Sequence, residues 1–410
     1  MTTHGGGPVT TLAALAPPTG DRRLFAAPGP GLAEHVATYG PLPGRVDLAA
    51  LLEEARLAGR GGAGFPSARK VRGVAARGRA VVVGNAAEGE PSSAKDATLI
   101  MAAPHLVIDG LVLAARAVGA RETYVATSRH DLATHLRSVI DERKDLRRVT
   151  VIEVPDRFVS GQESALVNAI NGNPPVPSDR LVPVFERGVH RRPTLVHNIE
   201  TLAHMALLAR YGAAWFRSVG TAEEPGTFLA TVSGAVSAPS IFETAFGTPL
   251  SDLLEWAGSG PRGAQAVLIG GFHGTWVPGR EIPEIRMTTQ SLRSHGATLG
   301  AGVVAVLGRD RCGLTESAAI AAYLATESVG QCGPCINGLP RMADALGRLA
   351  RHERSPWLVD EVHRMRFLVA GRGACAHPDG TARFVASTMR VFGDEVAVHL
   401  GGRCSVPSAR

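Results

Sequence analysis

The chain has 410 residues, of which 45% are hydrophobic, 20% charged and 5% aromatic, with a formal net charge of +6. That length and apolar share are enough for a sizeable core spread over two or three domains. The positive excess is small and scattered, and aromatics are few, so nothing points to a nucleic-acid surface.

Residues 1–40 are rich in Gly, Pro and Ala and read as a loosely ordered extension. The weakly apolar "TLAALA" within it has no basic residue ahead of it, so no secretory leader is expected and the cytoplasm is the expected compartment. Next, "VDLAALLEEARLAG" carries apolar residues at helical spacing and predicts a helix that ends at Gly59. There "GRGGAGFPSARK" opens, with Gly59, Gly61, Gly62 and Gly64 close together. Such a cluster suits positive φ angles or a ligand pressed against the main chain, with Arg69 or Lys70 as a cation for a phosphate. A bare surface turn is the competing reading. A helix, not a strand, precedes these glycines, so the ordinary dinucleotide fingerprint is not matched.

Ala80–Val83 predicts a buried strand that breaks at Gly84 into "GNAAEGEPSSAKD". Asn85, Glu88 and Glu90 there offer an amide and two carboxylates to ribose hydroxyls or the polar edge of a heterocycle, unless the loop is simply solvated. His105–Ala120 predicts a helix and "ETYVAT" a strand, an alternation that argues for a parallel α/β sheet with ligands where strands end in loops. The apolar stretch from Leu106 is broken by Asp109 and Arg116 and falls short of the roughly 20 residues that span a bilayer, so no membrane insertion is expected. "FVSGQESALVNAINGNPP" reads as a strand-like approach to Gly161 and then a helix with Gln162 and Glu163 near its start. "RRPTLVHNIETL" adds Asn198 and Glu200.

Beyond residue 220 strands and a short helix predict a small α+β module, and from about 311 the spacing is helical. All five cysteines, Cys312, Cys332, Cys335, Cys375 and Cys404, lie in this last part. They do not form a secreted disulfide framework. Cys332 and Cys335 make a C-x-x-C before a helix, with Cys375 further on, which suits zinc, an iron–sulfur cluster or a dithiol. Zinc and all-cysteine clusters usually want four ligands, and three are in evidence.

Taken in order, "GRGGAGFPSARK", "NAAEGEPSSAKD", "FVSGQESAL", "RRPTLVHNIETL" and "ESVGQCGPCINGL" resemble the successive signatures of the NADH-oxidising flavoprotein subunit of respiratory complex I. The related subunits of NAD-reducing hydrogenases and formate dehydrogenases have the same pattern, and the resemblance covers about residues 40–395. It implies an α/β fold: a Rossmann-like FMN/NADH domain at 41–220, a ubiquitin-like α+β SLBB domain at 221–308, a helical iron–sulfur domain at 309–400 and a tail at 401–410. It also implies that Gly59, Arg60, Gly61, Gly62, Gly64 and Lys70 wrap FMN, with Asn85 and Asn198 as polar contacts and Glu88 close to the flavin. Phe65 and Phe185 match aromatics that stack the adenine, Glu90 and Glu163 match acids near NADH, and Gly161 and Gln162 belong to the same binding segment. Cys332, Cys335 and Cys375 match cluster ligands. The implied activity is FMN-dependent NADH oxidation, with electrons passed singly to a ferredoxin-like or thioredoxin-like [2Fe–2S] partner and peripheral attachment to a membrane complex as an option.

Departures from the pattern qualify this. Val329 stands where the family has its first cluster cysteine, so a [4Fe–4S] cluster needs a replacement ligand, for which Cys312, Cys404, His377 or a water are candidates. A [3Fe–4S] cluster, or none, is the alternative. Ala87, Gln162 and Val182 replace an aspartate, a glutamate and a lysine, and the Trp and Phe expected after Lys70 are missing, which thins the contacts to NADH more than those to FMN. Two other readings follow: a flavoprotein fed by ferredoxin or a membrane reductase, or a non-catalytic scaffold.

Overall fold

The valine run at Val81–Val83 becomes the centre of a parallel sheet. In the computed structural model its strands are β1 (Val81–Ala86), β2 (Glu122–Thr127), β3 (Val149–Glu153) and β4 (Thr194–Asn198), in the spatial order β3-β2-β1-β4. Alternate side chains of β1 serve two cores, as the two-residue period requires. Val82 joins Leu106, Leu111 and Leu202 from the helices Pro104–Val118 and Ile199–Phe216. Val81 and Val83 join Leu166 and Val196 on the other face. Burial on both faces explains why β1 reads as an unbroken apolar run.

The structure describes residues 14–15, 22–144, 146, 149–178, 182–260 and 263–406. These divide into two compact units: one holds Ser240–Thr248 and the described residues through Thr231, the other Val232–Pro239 and the described residues from Pro249 onward. The first unit contains the parallel sheet. From β1 the chain moves outward to β2 and β3, then returns to place β4 on the opposite side of β1. Strand order therefore reverses between β1 and β4, and Asn85 pairs in register with Asn198 near their carboxyl ends.

The loosely ordered extension expected over 1–40 lies outside the described residues at 1–13 and 16–21, and it does not hold from Arg22 onward. Leu24 is fully buried, and the carboxylate of Glu243 accepts the backbone N–H groups of Arg23 (3.0 Å), Leu24 (2.9 Å) and Phe25 (3.4 Å). Leu32–Tyr39 is a helix whose His35 and Tyr39 are buried. The partner that orders this segment is more than two hundred residues away in sequence, so local composition gave no sign of it.

In the second unit the strands Ala264–Ile269, Thr275–Pro278 and Val303–Gly308 pair antiparallel. Helices follow at Gly313–Thr326, Leu339–Ala350, Trp357–Val369, His377–Val391 and Gly393–Leu400, and bury Leu314, Met342, Leu346, Val362 and Phe384. No single helix among the described residues is long and apolar enough to cross a membrane. The bent pair Lys95–Ala102 and Pro104–Val118 passes only in combination, across a 98° break, and its apolar residues, Met101 apart, lie in or against the core.

Candidate functional site

Ligands of open parallel sheets sit beyond the carboxyl ends of the strands where strand order reverses. Here that place is the mouth between β1 and β4, and three loops reach it. The glycine loop is closed at its base by a bridge between Ala58 and Pro66 and by Gly59 N–H donating to the Phe65 carbonyl at 2.9 Å. Gly62 (φ 99°) and Gly64 (φ 61°) take backbone that side chains disfavour. A Cβ on Gly61 would stand 3.3 Å from Cβ of Asn198, so this bare stretch of chain lies over the end of β4.

The acidic loop is held from two sides. Asn85 donates from Nδ2 to the Gly161 carbonyl at 2.7 Å and accepts at Oδ1 from Ala87 N–H at 3.1 Å. A Cβ on Gly161 would sit 2.4 Å from the Ala87 carbonyl oxygen, so only glycine allows this approach. The Phe158–Gly161 segment is a turn and not the expected strand, because it must bring Gly161 against Ala87. Gln162 then caps the helix Glu163–Ile170, accepting at Oε1 from Ser164 N–H (2.9 Å) and Ala165 N–H (3.0 Å).

Behind the loops lies a buried polar group that the sequence only partly exposed. Lys95 Nζ donates to Asp96 Oδ1 (2.7 Å), Glu200 Oε2 (3.0 Å) and Asn198 Oδ1 (3.1 Å). Asn198 donates onward to Asp96 Oδ2 at 2.7 Å and caps the helix Ile199–Phe216 through Glu200 N–H at 3.0 Å. The only sequence signal for Lys95 and Asp96 is their place in "SSAKD" directly after the acidic loop. Glu88 accepts from the Ser93 hydroxyl, from Asp96 N–H at 3.3 Å and from Ala97 N–H at 3.4 Å. Burial, reinforced by the Asp96 charge and opposed by Lys95, pushes its carboxyl up to about 7.

The remaining expected residues divide by direction. Lys70 is ion-paired with Glu163, which ties the helix after the glycine loop to the Gln162 segment. Phe65 is exposed with the Arg69 guanidinium 5.6 Å from its ring centroid, and Phe185 has Arg77 at 5.2 Å. Glu90 accepts Ser92 N–H at 3.1 Å and so shapes its own turn. Arg60 turns away from the mouth. Its guanidinium donates to the carbonyls of Thr227 (3.1 Å) and Ala58 (3.0 Å) and lies over the Phe246 ring, while its N–H donates to Thr201 Oγ1 at 2.9 Å. Desolvation lowers it to about 10, and its place is that of a strut under the loop.

FMN fits this donor set. Bare backbone offers a flat surface, Lys70 offers a cation, and two buried polar atoms of the bracketing segments, His197 Nε2 and Ser67 Oγ, have no hydrogen-bond partner among the described residues. Burial, with the Lys70 charge adding to it, keeps His197 neutral.

In the second unit Cys332, Cys335 and Cys375 come together: burial and the charges of the other two thiols push Cys335 up to about 12, and the Ser328 hydroxyl donates to its sulfur. Cys335 sits in a π-helical turn, Pro334–Gly338, that leads into Leu339–Ala350. The other expected fourth ligands point elsewhere. Cys312 and Cys404 group with Glu395 and His399, and His377 uses Nε2 on the Leu324 carbonyl (2.8 Å) and Nδ1 on His273 (3.1 Å). Ser328, adjacent to Val329, is a further polar group at these sulfurs that the cysteine spacing does not single out.

Residues 52–207 match the family model described as the Nuo51 FMN-binding domain, and residues 310–399 match the NADH-ubiquinone oxidoreductase-F iron-sulfur binding region. Similar relatives include an NADH-quinone oxidoreductase subunit of Rhizobium meliloti (strain 1021), 30% identical over 380 residues that cover 87% of this chain and 89% of that one. The corresponding NADH-quinone oxidoreductase subunit of Mycobacterium tuberculosis (strain CDC 1551 / Oshkosh) is 29% identical over 392 residues, covering 87% and 86%. Among solved structures, an NAD+-reducing [NiFe]-hydrogenase in the H2-reduced state superposes with a TM-score of 0.78 at 27% identity, over 86% of this chain and 62% of that one. The mouth between β1 and β4, the three-cysteine group and these likenesses agree, and the chain belongs to the family of FMN-binding, iron–sulfur NADH-quinone oxidoreductase subunits.

Proposed function

We propose that this chain is an FMN-dependent electron-transfer subunit that oxidises NADH in the cytoplasm and passes electrons singly to an iron–sulfur partner of ferredoxin-like or thioredoxin-like type. The observation that carries this reading is the convergence of the glycine loop, Asn85, Glu88 and Asn198 on the switch point between β1 and β4. FMN, when bound, takes two electrons from NADH together and releases them one at a time. The chain's own part is placement. Gly59, Gly61, Gly62 and Gly64 present bare backbone to the flavin, and Arg60 braces that loop from beneath. Lys70 and His197 serve the phosphate end, and Asn85 and Asn198 the polar edge. Phe65 and Phe185, each under a guanidinium, face the adenine, with Gly161, Gln162, Glu163 and Glu90 around the nicotinamide nucleotide. Glu88, its carboxyl pushed up to about 7 by burial, gains or loses a proton near neutral pH. In the second unit Cys332, Cys335 and Cys375 would hold the cluster, and Ser328 stands nearest to the role left by Val329.

Anaerobic addition of NADH to the FMN-loaded protein tests the first claim, and rapid bleaching of flavin absorbance is expected. Bleaching by reduced ferredoxin but not by NADH would transfer the reading to a ferredoxin-fed flavoprotein. For the cluster, Ser328→Ala is expected to lower iron from about four per chain to about three with flavin content unchanged. Iron that stays at the wild-type value in this variant would remove Ser328 from the ligand set.

A further inference from the structure

The two cysteines that do not join the cluster group form a site of their own. One ligand atom each from Cys312, Glu395, His399 and Cys404 lies within 4.8 Å of all the others. Cys312 Sγ is 3.5 Å from His399 Nε2 and 4.0 Å from Glu395 Oε1, and the imidazole nitrogen is 3.0 Å from that carboxylate oxygen. A zinc tetrahedron with Zn–S about 2.3 Å and Zn–N or Zn–O about 2.0–2.1 Å has edges of about 3.3–3.8 Å. The Cys312, His399 and Glu395 atoms already lie near that spacing, and Cys404 Sγ is within 4.8 Å of each.

We infer that Cys312, Glu395, His399 and Cys404 bind one zinc ion as a closed structural site, separate from the iron–sulfur group. The backbone supplies each ligand for a local reason. Cys312 is the N-cap of the helix Gly313–Thr326, where the exposed N–H groups and the helix dipole favour a thiolate. Glu395 and His399 stand one turn apart on Gly393–Leu400, so both face one point. Gly402, at φ 78°, then reverses the chain, with its N–H donating to the His399 carbonyl at 2.8 Å, and returns Cys404 to the helix it has just left.

The surrounding contacts match what a metal-bound histidine and carboxylate require. His399 is fully buried, and its Nδ1–H donates to the Leu349 carbonyl at 3.0 Å, which fixes the tautomer that leaves the Nε2 lone pair for a metal. Ser405 N–H donates to Glu395 Oε1 at 2.8 Å and orients that carboxylate. Two sulfurs, one imidazole and one carboxylate form a donor set for a redox-silent tetrahedral ion. All four positions are filled by protein, so the site pins the chain end to the helices and leaves no open position for catalysis.

The inference does not rest on FMN or NADH, and its test reads zinc. Full-length protein purified without chelator or added metal is analysed for zinc, alongside Cys404→Ser, Cys312→Ser and Cys375→Ser. About one zinc per chain is expected in the wild type and in Cys375→Ser, and none in the other two variants. Cobalt substitution should give tetrahedral ligand-field bands with thiolate charge-transfer absorption, lost in Cys404→Ser. That substitution lies past the last helix, and the variant's circular dichroism spectrum separates lost zinc from lost fold. Wild-type protein without zinc, zinc that persists in Cys404→Ser, or an unreduced mass lower by two hydrogens with loss of the Cys312 and Cys404 thiols would each overturn the proposal, the last in favour of a disulfide.

Discussion

Two buried carboxyl groups in the first unit have opposite fates. Asp109, 1% exposed, meets His35 Nε2 at 2.9 Å, Arg143 Nη2 at 2.8 Å and the Arg210 guanidinium. Burial alone would raise its pKa, but the His35 hydrogen bond and the two guanidinium charges outweigh that and hold it at about 2. Burial and the Asp96 charge raise the Glu88 carboxyl to about 7, and the one cation beside it, Lys95, which Asp96 and Glu200 already engage, only partly offsets them. Burial would lower the ammonium pKa of Lys95, yet the Asp96, Glu200 and Glu88 charges raise it above the usual lysine value. At Asp109 cations over-compensate a buried carboxylate that serves the fold, whereas Glu243, which also serves it, is held by backbone N–H groups and the Thr227 hydroxyl; at the mouth of the sheet Glu88 has no cation of its own. A desolvated group with a perturbed pKa in a cleft is a candidate functional group.

The contrast is broken most strongly at Asp109. Asp109→Ala leaves Arg143 and Arg210 buried beside an empty position, and a loss of about 3–5 kcal/mol is expected in denaturant unfolding at neutral pH. A loss within experimental error would show that the node is not the fastener described here. Gly161→Ala comes next. Its Cβ would press into the Ala87 carbonyl, 2.4 Å away, and push the Gly161 segment off Asn85. FMN affinity, followed by quenching of flavin fluorescence, is expected to fall by about tenfold, on the order of 1.4 kcal/mol. Gly61→Ala, whose Cβ meets Asn198 at 3.3 Å, should cost less, and the reverse ranking would mean that the two loops do not share a ligand as described.

Much of this was legible in sequence where the cause is local. "ETYVAT" is a strand over those same residues, because alternate β-branched and apolar side chains suit a buried parallel sheet. Leu339–Ala350 follows from apolar residues at three- and four-residue spacing. Most of the misses depend on distant partners. Arg60 is expected to wrap FMN with its neighbouring glycines, yet the Thr227 carbonyl and the Phe246 ring draw it inward. Cys312 and Cys404 read as spare cluster ligands, but the turn at Gly402 brings them to His399 instead. Lys95 and Asp96 look like an ordinary helix start until Glu200 and Asn198 close around them.

The charge imbalance itself is read from the pH dependence of stability. The folded-state pKa of Glu88 is raised from 4.5 to about 7, so the native chain binds more protons than the unfolded one between those values. Its contribution is therefore fully present below pH 4.5 and is lost as pH rises through about 7. Glu88→Gln keeps a similar shape without the titration. Stability of the variant measured against pH should lack that decline and exceed wild type above pH 7 by on the order of 1–3 kcal/mol. Asp109→Asn should behave in the opposite sense, removing a contribution that wild type keeps above pH 3.8 and loses as pH falls through about 2. Parallel pH profiles for the two variants would mean that the two carboxyls share one electrostatic role, and the distinction between fastener and functional group would fail.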